Sequence, residues 1–126
     1  MDRYEYNGDL LAIHIKEFAH GSNPVTAPES PLQVMTLKRG KGEEVKAHIH
    51  APKHRETERV QECLLVRKGS VEVDLYGTGT SPFKTLHVCA GEALLLLSGG
   101  HAVRYLEETE IIEVKNGPYL ADKELI

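Results

Sequence analysis

Cysteine is scarce in this chain: Cys63 and Cys89 are the only two, and they form no CxxC pair. That is too few for a disulfide scaffold, so a reducing cytoplasm is the expected setting. Long apolar runs are missing too. The longest uninterrupted one covers residues 93–97, whereas a membrane-spanning helix needs about 20. No basic patch followed by an apolar stretch opens the sequence, so no signal peptide is expected. Positive charge is not in excess: 15 Lys and Arg stand against 19 Asp and Glu, a net charge of −4. Neither nucleic acid nor a membrane is therefore an expected partner. Catalytic and nucleotide signatures are absent as well. There is no GxSxG, and Gly77-Thr78-Gly79-Thr80 is followed by no Lys-Ser/Thr.

What remains is an ordinary globular composition, 126 residues with 40% hydrophobic, and seven histidines as its unusual feature. Length and composition give a single domain over 1–126. The hydrophobic pattern has period two. Strands are expected over residues 10–16, 32–38, 45–51, 60–67, 71–76, 83–88, 93–97, 101–106 and 110–115. Pro24, Pro28 and Pro31 make residues 20–31 a loop. Residues 39–42 read as a turn, and the charged residues 52–59 as a solvated loop. Lys68-Gly69-Ser70 reads as the tight turn of a hairpin, and residues 121–126 as one helical turn. Short strands at this rhythm predict an all-β sandwich or barrel.

The pair His48-Ile49-His50 carries the chemistry. Residues i and i+2 of a strand share a face about 6.6 Å apart, close enough for two imidazoles to reach one ion. Taken alone, such a pair is more often two solvated polar residues than a metal site. Its surroundings add more. Gly42 precedes His48, Glu62 precedes Gly69 by six intervening residues, and Gly91 is followed by an apolar strand and then Ser98-Gly99-Gly100-His101.

Together these residues resemble the two-part signature of the cupin superfamily over residues 32–115, with residues 9–31 as an N-terminal strand and loop. Gly42, His48, His50, Glu62 and Gly69 match the first part, and Gly91, Gly99 and His101 the second. The gap between His50 and Glu62 is longer than the family's, Leu97 stands in place of its proline, and His101 comes one residue early. The resemblance implies a double-stranded β-helix (a jelly-roll, or cupin, barrel). It implies one divalent transition metal held by His48, His50, Glu62 and His101, and a homodimer. Imidazole with one carboxylate suits Fe, Zn, Mn or Ni, and that set leaves coordination positions open.

The expected function is thus a small metal-dependent enzyme acting on a small molecule with oxygen donors, of oxygenase, isomerase or lyase type. Two alternatives stand beside it: a metal-free nucleotide-sugar epimerase or isomerase, with Lys46, Arg67, Lys68 or Arg104 holding the phosphates, and a non-enzymatic ligand binder. His54, Glu56 or Glu58 could replace Glu62 at the metal. Alternation sends Leu64 and Val66 inward with Glu62, and Cys63 away. It likewise sends Val103 and Tyr105 inward with His101, making Tyr105 a candidate catalytic acid or donor, although a rim tyrosine is as common. Gln33 is a candidate pocket group. His14 and His20 are expected on the surface, and His87 and Cys89 as structural residues. The face opposite the histidine pair, Val45, Ala47, Ile49 and Ala51, needs covering by a second sheet or a second subunit.

Overall fold

A computed structural model describes residues 1–126. The chain forms ten strands and no helix: β1 (Asp2–Tyr6), β2 (Asp9–Ile15), β3 (Gly21–Pro24), β4 (Met35–Lys38), β5 (Glu62–Lys68), β6 (Ser70–Tyr76), β7 (Lys84–Cys89), β8 (Ala93–Leu96), β9 (Gly100–Tyr105) and β10 (Glu110–Lys115). No helix is long and apolar enough to cross a membrane. The strands make three antiparallel sheets, ordered β1-β2-β8-β5-β10, β7-β6-β9 and β3-β4. The all-β class is as the period-two pattern predicts, but the sheets do not close into a barrel.

The two larger sheets pack face to face. Ala12, Leu64, Val66, Leu94 and Leu96 of the five-stranded sheet meet Val71, Val73, Leu75, Leu86 and Val88 of the three-stranded one. A second core lies on the opposite face of the five-stranded sheet, where Ile13, Ile15, Leu95 and Leu97 are covered by Val25 and Val34. Burial on both faces explains why β8 is a continuous apolar run rather than an alternating one. From β5 onward the chain passes repeatedly between the two facing sheets: β5, β8 and β10 belong to one, and β6, β7 and β9 to the other.

Four expectations need correction. Residues 45–51 form no strand. Residues 39–60 are exposed throughout and carry no strand at all. Outside the ladders, the one backbone hydrogen bond in this stretch runs from Glu43 N–H to the Gly40 carbonyl. Period two permits a strand, but a strand forms only where a neighbour takes up its N–H and C=O groups. The β5–β6 connection is not a hairpin either. Gly69 is its only residue, too short for the two-residue turn a hairpin requires. It serves instead as a corner (φ 84°) that carries the chain from one sheet to the other. Residues 121–126 form no helical turn. Finally, β1 and β3 fall where no strand is expected. The β1–β2 hairpin turns on Asn7 and Gly8, with φ of 50° and 85°, the signature of a type I′ turn.

Candidate functional site

Glu62 opens β5 and points into the space between the facing sheets, in line with Leu64 and Val66. Cys63 points the other way and packs against the second core. His101 lies near the start of β9, opposite Leu75 in register. The fold brings these two together: His101 Nε2 is 3.2 Å from Glu62 Oε2. Lys115, at the end of β10, faces Glu62 directly across the antiparallel ladder. Its Nζ is 3.3 Å from Glu62 Oε1 and 2.9 Å from Glu113 Oε1.

This surrounding acts on the carboxyl. The hydrogen bond from His101 holds Glu62 down to about 2, with Lys115 assisting against the opposing effect of partial burial. The ammonium of Lys115 is raised by the carboxylates of Glu113 and Glu62.

His48 and His50 lie in the exposed stretch, outside every sheet. Their rings nevertheless stand edge to face with centroids 5.1 Å apart. His48 Nδ1–H donates to the Lys46 carbonyl at 2.8 Å, which leaves Nε2 with its lone pair free to bind a cation. The four expected ligands therefore form two separate pairs, and no cluster of three His, Cys, Asp or Glu donors is assembled. Each pair has the chemistry for an ion, two imidazoles in one and an imidazole with a carboxylate in the other.

The remaining candidates are placed as follows. Tyr105 ends β9, four residues beyond His101, and is 64% exposed. At about 3.3 Å per residue it is roughly 13 Å along the strand from His101. Val103, between them, packs against the core. His54 pairs with Glu56 at 3.1 Å in the exposed loop, while Glu58 is exposed. Gln33 is not a pocket group, because its amide laces the adjacent loop by donating to the carbonyls of Ala27, Pro28 and Ser30. Arg67 pairs with Glu110, and Lys46 and Lys68 are exposed. Arg104 is bound to Glu72 and Asp74 on the outer face of the three-stranded sheet. His87 and Cys89 are exposed on β7.

His14, expected on the surface, is 2% exposed, its Nε2 2.9 Å from Glu92 Oε1. Burial would raise the Glu92 carboxyl, but the Cys89 N–H and His14 together outweigh it and hold it below its usual range.

Three residues enter from outside the expected set. Lys115 is one. The others are Gln61 and Asn116, which fasten the entry to β5. Buried Gln61 receives Leu32 N–H on its Oε1 and donates its amide to the Leu97 carbonyl. Asn116 accepts Gln61 N–H and donates to Thr57 Oγ1 and the Arg59 carbonyl. Nothing in the sequence marks them, since their roles depend on β5 and β10 being neighbours.

A polar cleft of about 300 Å³ opens where the stretches leading to Glu62 and His101 begin, with Arg59 and Val60 on one side and Ser98 and Gly99 on the other. Asp9 and Thr78 also line it. No family model matches the chain, and no curated protein or solved structure matches it.

Proposed function

We propose that this chain is a metal-binding cupin, a double-stranded β-helix in which His48, His50, Glu62 and His101 hold one divalent transition metal. The observation that carries this reading is the Glu62–His101 contact across the two sheets. It joins the carboxylate of the signature's first part to the histidine of its second. The passage of the chain between facing sheets agrees with such a β-helix. So does the outer edge of β9, which has no neighbouring strand and can receive residues 45–51.

In this reading residues 45–51 lie along β9 and turn His48 and His50 toward Glu62 and His101. The neutral imidazoles supply nitrogen donors and Glu62 one hard oxygen. The ion, when bound, supplies a Lewis acid or a centre for dioxygen activation, with positions open to a bidentate oxygen ligand. The polar cleft with Asp9 and Arg59 holds the remainder of a small polar substrate. Val45, Ala47, Ile49 and Ala51 then face outward together. Ile49 is already 91% exposed, and a second copy of the chain covers this face in a homodimer.

Elemental analysis of purified protein beside a His48→Ala/His50→Ala double variant tests the reading. About one metal ion per chain, lost in the variant, is the expected result. Protein that carries no metal and takes none up from Fe, Zn, Mn or Ni salts overturns it. A second reading would then stand on the cleft alone: a metal-free protein that binds a small polar ligand through Arg59 and Asp9, unaffected by chelators.

A further inference from the structure

We infer that the free edge of β10 pairs with β10 of a second copy of this chain, joining the two five-stranded sheets into one. The contact is separate from the proposed metal site. It uses neither His48 nor His50, and it forms in metal-free protein, where residues 45–51 belong to no sheet.

β10 pairs with β5 on one side and with no strand on the other. The apolar rows that cross the sheet run out at this edge. On the outer face, register places Ile13, Leu95, Cys63 and Val114 in one row and Ile15, Ala93, Leu65 and Ile112 in the next. Ile13, Ile15, Ala93 and Leu95 are buried in the second core with Val25, and Cys63 packs against it. The far end is bare: Leu65 is 38% exposed, Ile112 51% and Val114 49%. An unpaired strand edge beside exposed apolar side chains is a template for another strand.

The charges on β10 select which strand. Glu113 and Lys115 lie on the face opposite Ile112 and Val114, and charged residues on an edge ordinarily repel a neighbour. Two antiparallel copies related by a two-fold axis set residues of the same face directly opposite each other, so few registers are open. Centred on Ile112, the pairing sets Glu113 against Ile111. Centred on Glu113, it sets that carboxylate against its own copy. Centred on Val114, it sets Glu113 of each chain against Lys115 of the other, and Val114 against Val114. Glu113 and Lys115 already meet at 2.9 Å within the chain. The two-fold axis therefore builds a square of alternating charge on one face and continues the row of Val114 on the other. Side chains directly opposite have Cβ atoms about 4.5–5.5 Å apart, within reach of an ion pair. The edge is short, so the interface falls below the roughly 1,200 Å² of standard stable ones, and the dimer is weak and concentration-dependent.

Sedimentation velocity on the full chain in EDTA, over a concentration series, tests this with Glu113→Lys and Lys115→Glu, each alone and the two mixed in equal amounts. Wild type is expected to pass from monomer to dimer as concentration rises. Each variant alone sets like charges opposite each other at both contacts, and its association should weaken about tenfold. In the mixture one chain presents two lysines and the other two glutamates, so a mixed dimer should recover to within about threefold of wild type. Variants that had only lost structure would not recover on mixing. Val114→Lys, which sets two ammonium groups together at the two-fold axis, should stay monomeric and carries the same expectation if Lys115→Glu does not fold. Ile49→Lys, on the exposed stretch, should associate as wild type does. Wild type that stays monomeric throughout overturns the inference. So do charge variants that dimerise alone as well as wild type, singles that fail to recover when mixed, or a dimer lost in Ile49→Lys.

Discussion

The Glu62 carboxylate and the His101 imidazole meet 3.2 Å apart, although β5 and β9 belong to different sheets. Next to this pair the layer between those sheets is apolar, built from Leu64, Val66, Val73, Leu75 and their neighbours. A carboxylate at such a boundary needs partners for both oxygens, because desolvation without them is costly. His101 supplies one and Lys115 the other.

This arrangement makes stability depend on pH. Glu62 is depressed from 4.5 to about 2 by His101 and Lys115. Its contribution is therefore fully present above about pH 4.5 and is lost as pH falls toward 2. The pair is partly open to water, which screens it, so its contribution is about 1–2 kcal/mol. Glu62→Gln should lower stability at pH 7 by about that amount and flatten its decline between pH 4.5 and 2. Urea denaturation at a series of pH values measures both. A variant whose decline over that interval matches wild type contradicts the assignment.

Gly69 offers a sharper contrast. It sits at φ 84°, and a Cβ there would lie 2.5 Å from Thr109 Oγ1 and 2.6 Å from the Glu108 carbonyl oxygen. Gly79 has nearly the same φ, 85°, with nothing within 4 Å. Both Gly→Ala changes incur the left-handed backbone cost of about 1–2 kcal/mol. Only Gly69→Ala adds a backbone clash at the corner joining the two sheets, for a total of about 3–4 kcal/mol. Thermal or chemical denaturation of the two variants decides this, and equal losses would place the constraint in φ alone.

The difference between Gly69 and Glu62 also shows what sequence can carry here. Glu62, Leu64 and Val66 share a face because alternation is a local property, so the inward set on β5 is readable without a structure. The partner sheet is not local. Lys68-Gly69-Ser70 has hairpin composition, yet one residue cannot make the turn, and β5 and β6 face each other across the core. Asn7-Gly8 was the legible signal for the β1–β2 hairpin, obscured by the charged and polar residues of β1. The histidine pair was legible as a pair. Its distance from Glu62 and His101 was not, because the charged stretch after Ala51 sets no register. Lys115, Gln61 and Asn116 acquire meaning only from neighbours such as Glu62 and Arg59, up to 57 positions away.

Asn116 and Gln61 should behave as a clasp. Gln61 caps Leu32 N–H and the Leu97 carbonyl in a buried setting, and Asn116 binds the segment from Thr57 to Gln61. Gln61→Leu strands two backbone groups and should cost about 2 kcal/mol. Asn116→Ala should cost less globally but release the end of the exposed stretch. Limited trypsin digestion should then cleave after Arg55 and Arg59 several-fold faster than in wild type, with no comparable change after Lys84. Unchanged cleavage would mean that the Asn116 contacts do not restrain this segment.

The free edge of β9 gives the last test, because it separates a metal site built from four residues from two unrelated pairs. Residues 45–51 are exposed and unpaired, so their amides should exchange hydrogen rapidly in metal-free protein. If His48 and His50 share an ion with Glu62 and His101, binding must bring this segment onto β9, and ladder hydrogen bonds should form along it. Hydrogen exchange read by mass spectrometry should then show residues 45–51 slowing at least tenfold on addition of one equivalent of Zn(II). The edge-facing amides of β9 should slow with them, and the His48→Ala/His50→Ala variant should show neither effect. Zinc that binds wild type without protecting residues 45–51 would leave the histidine pair and the Glu62–His101 pair as separate sites, and the β9 edge open to another strand.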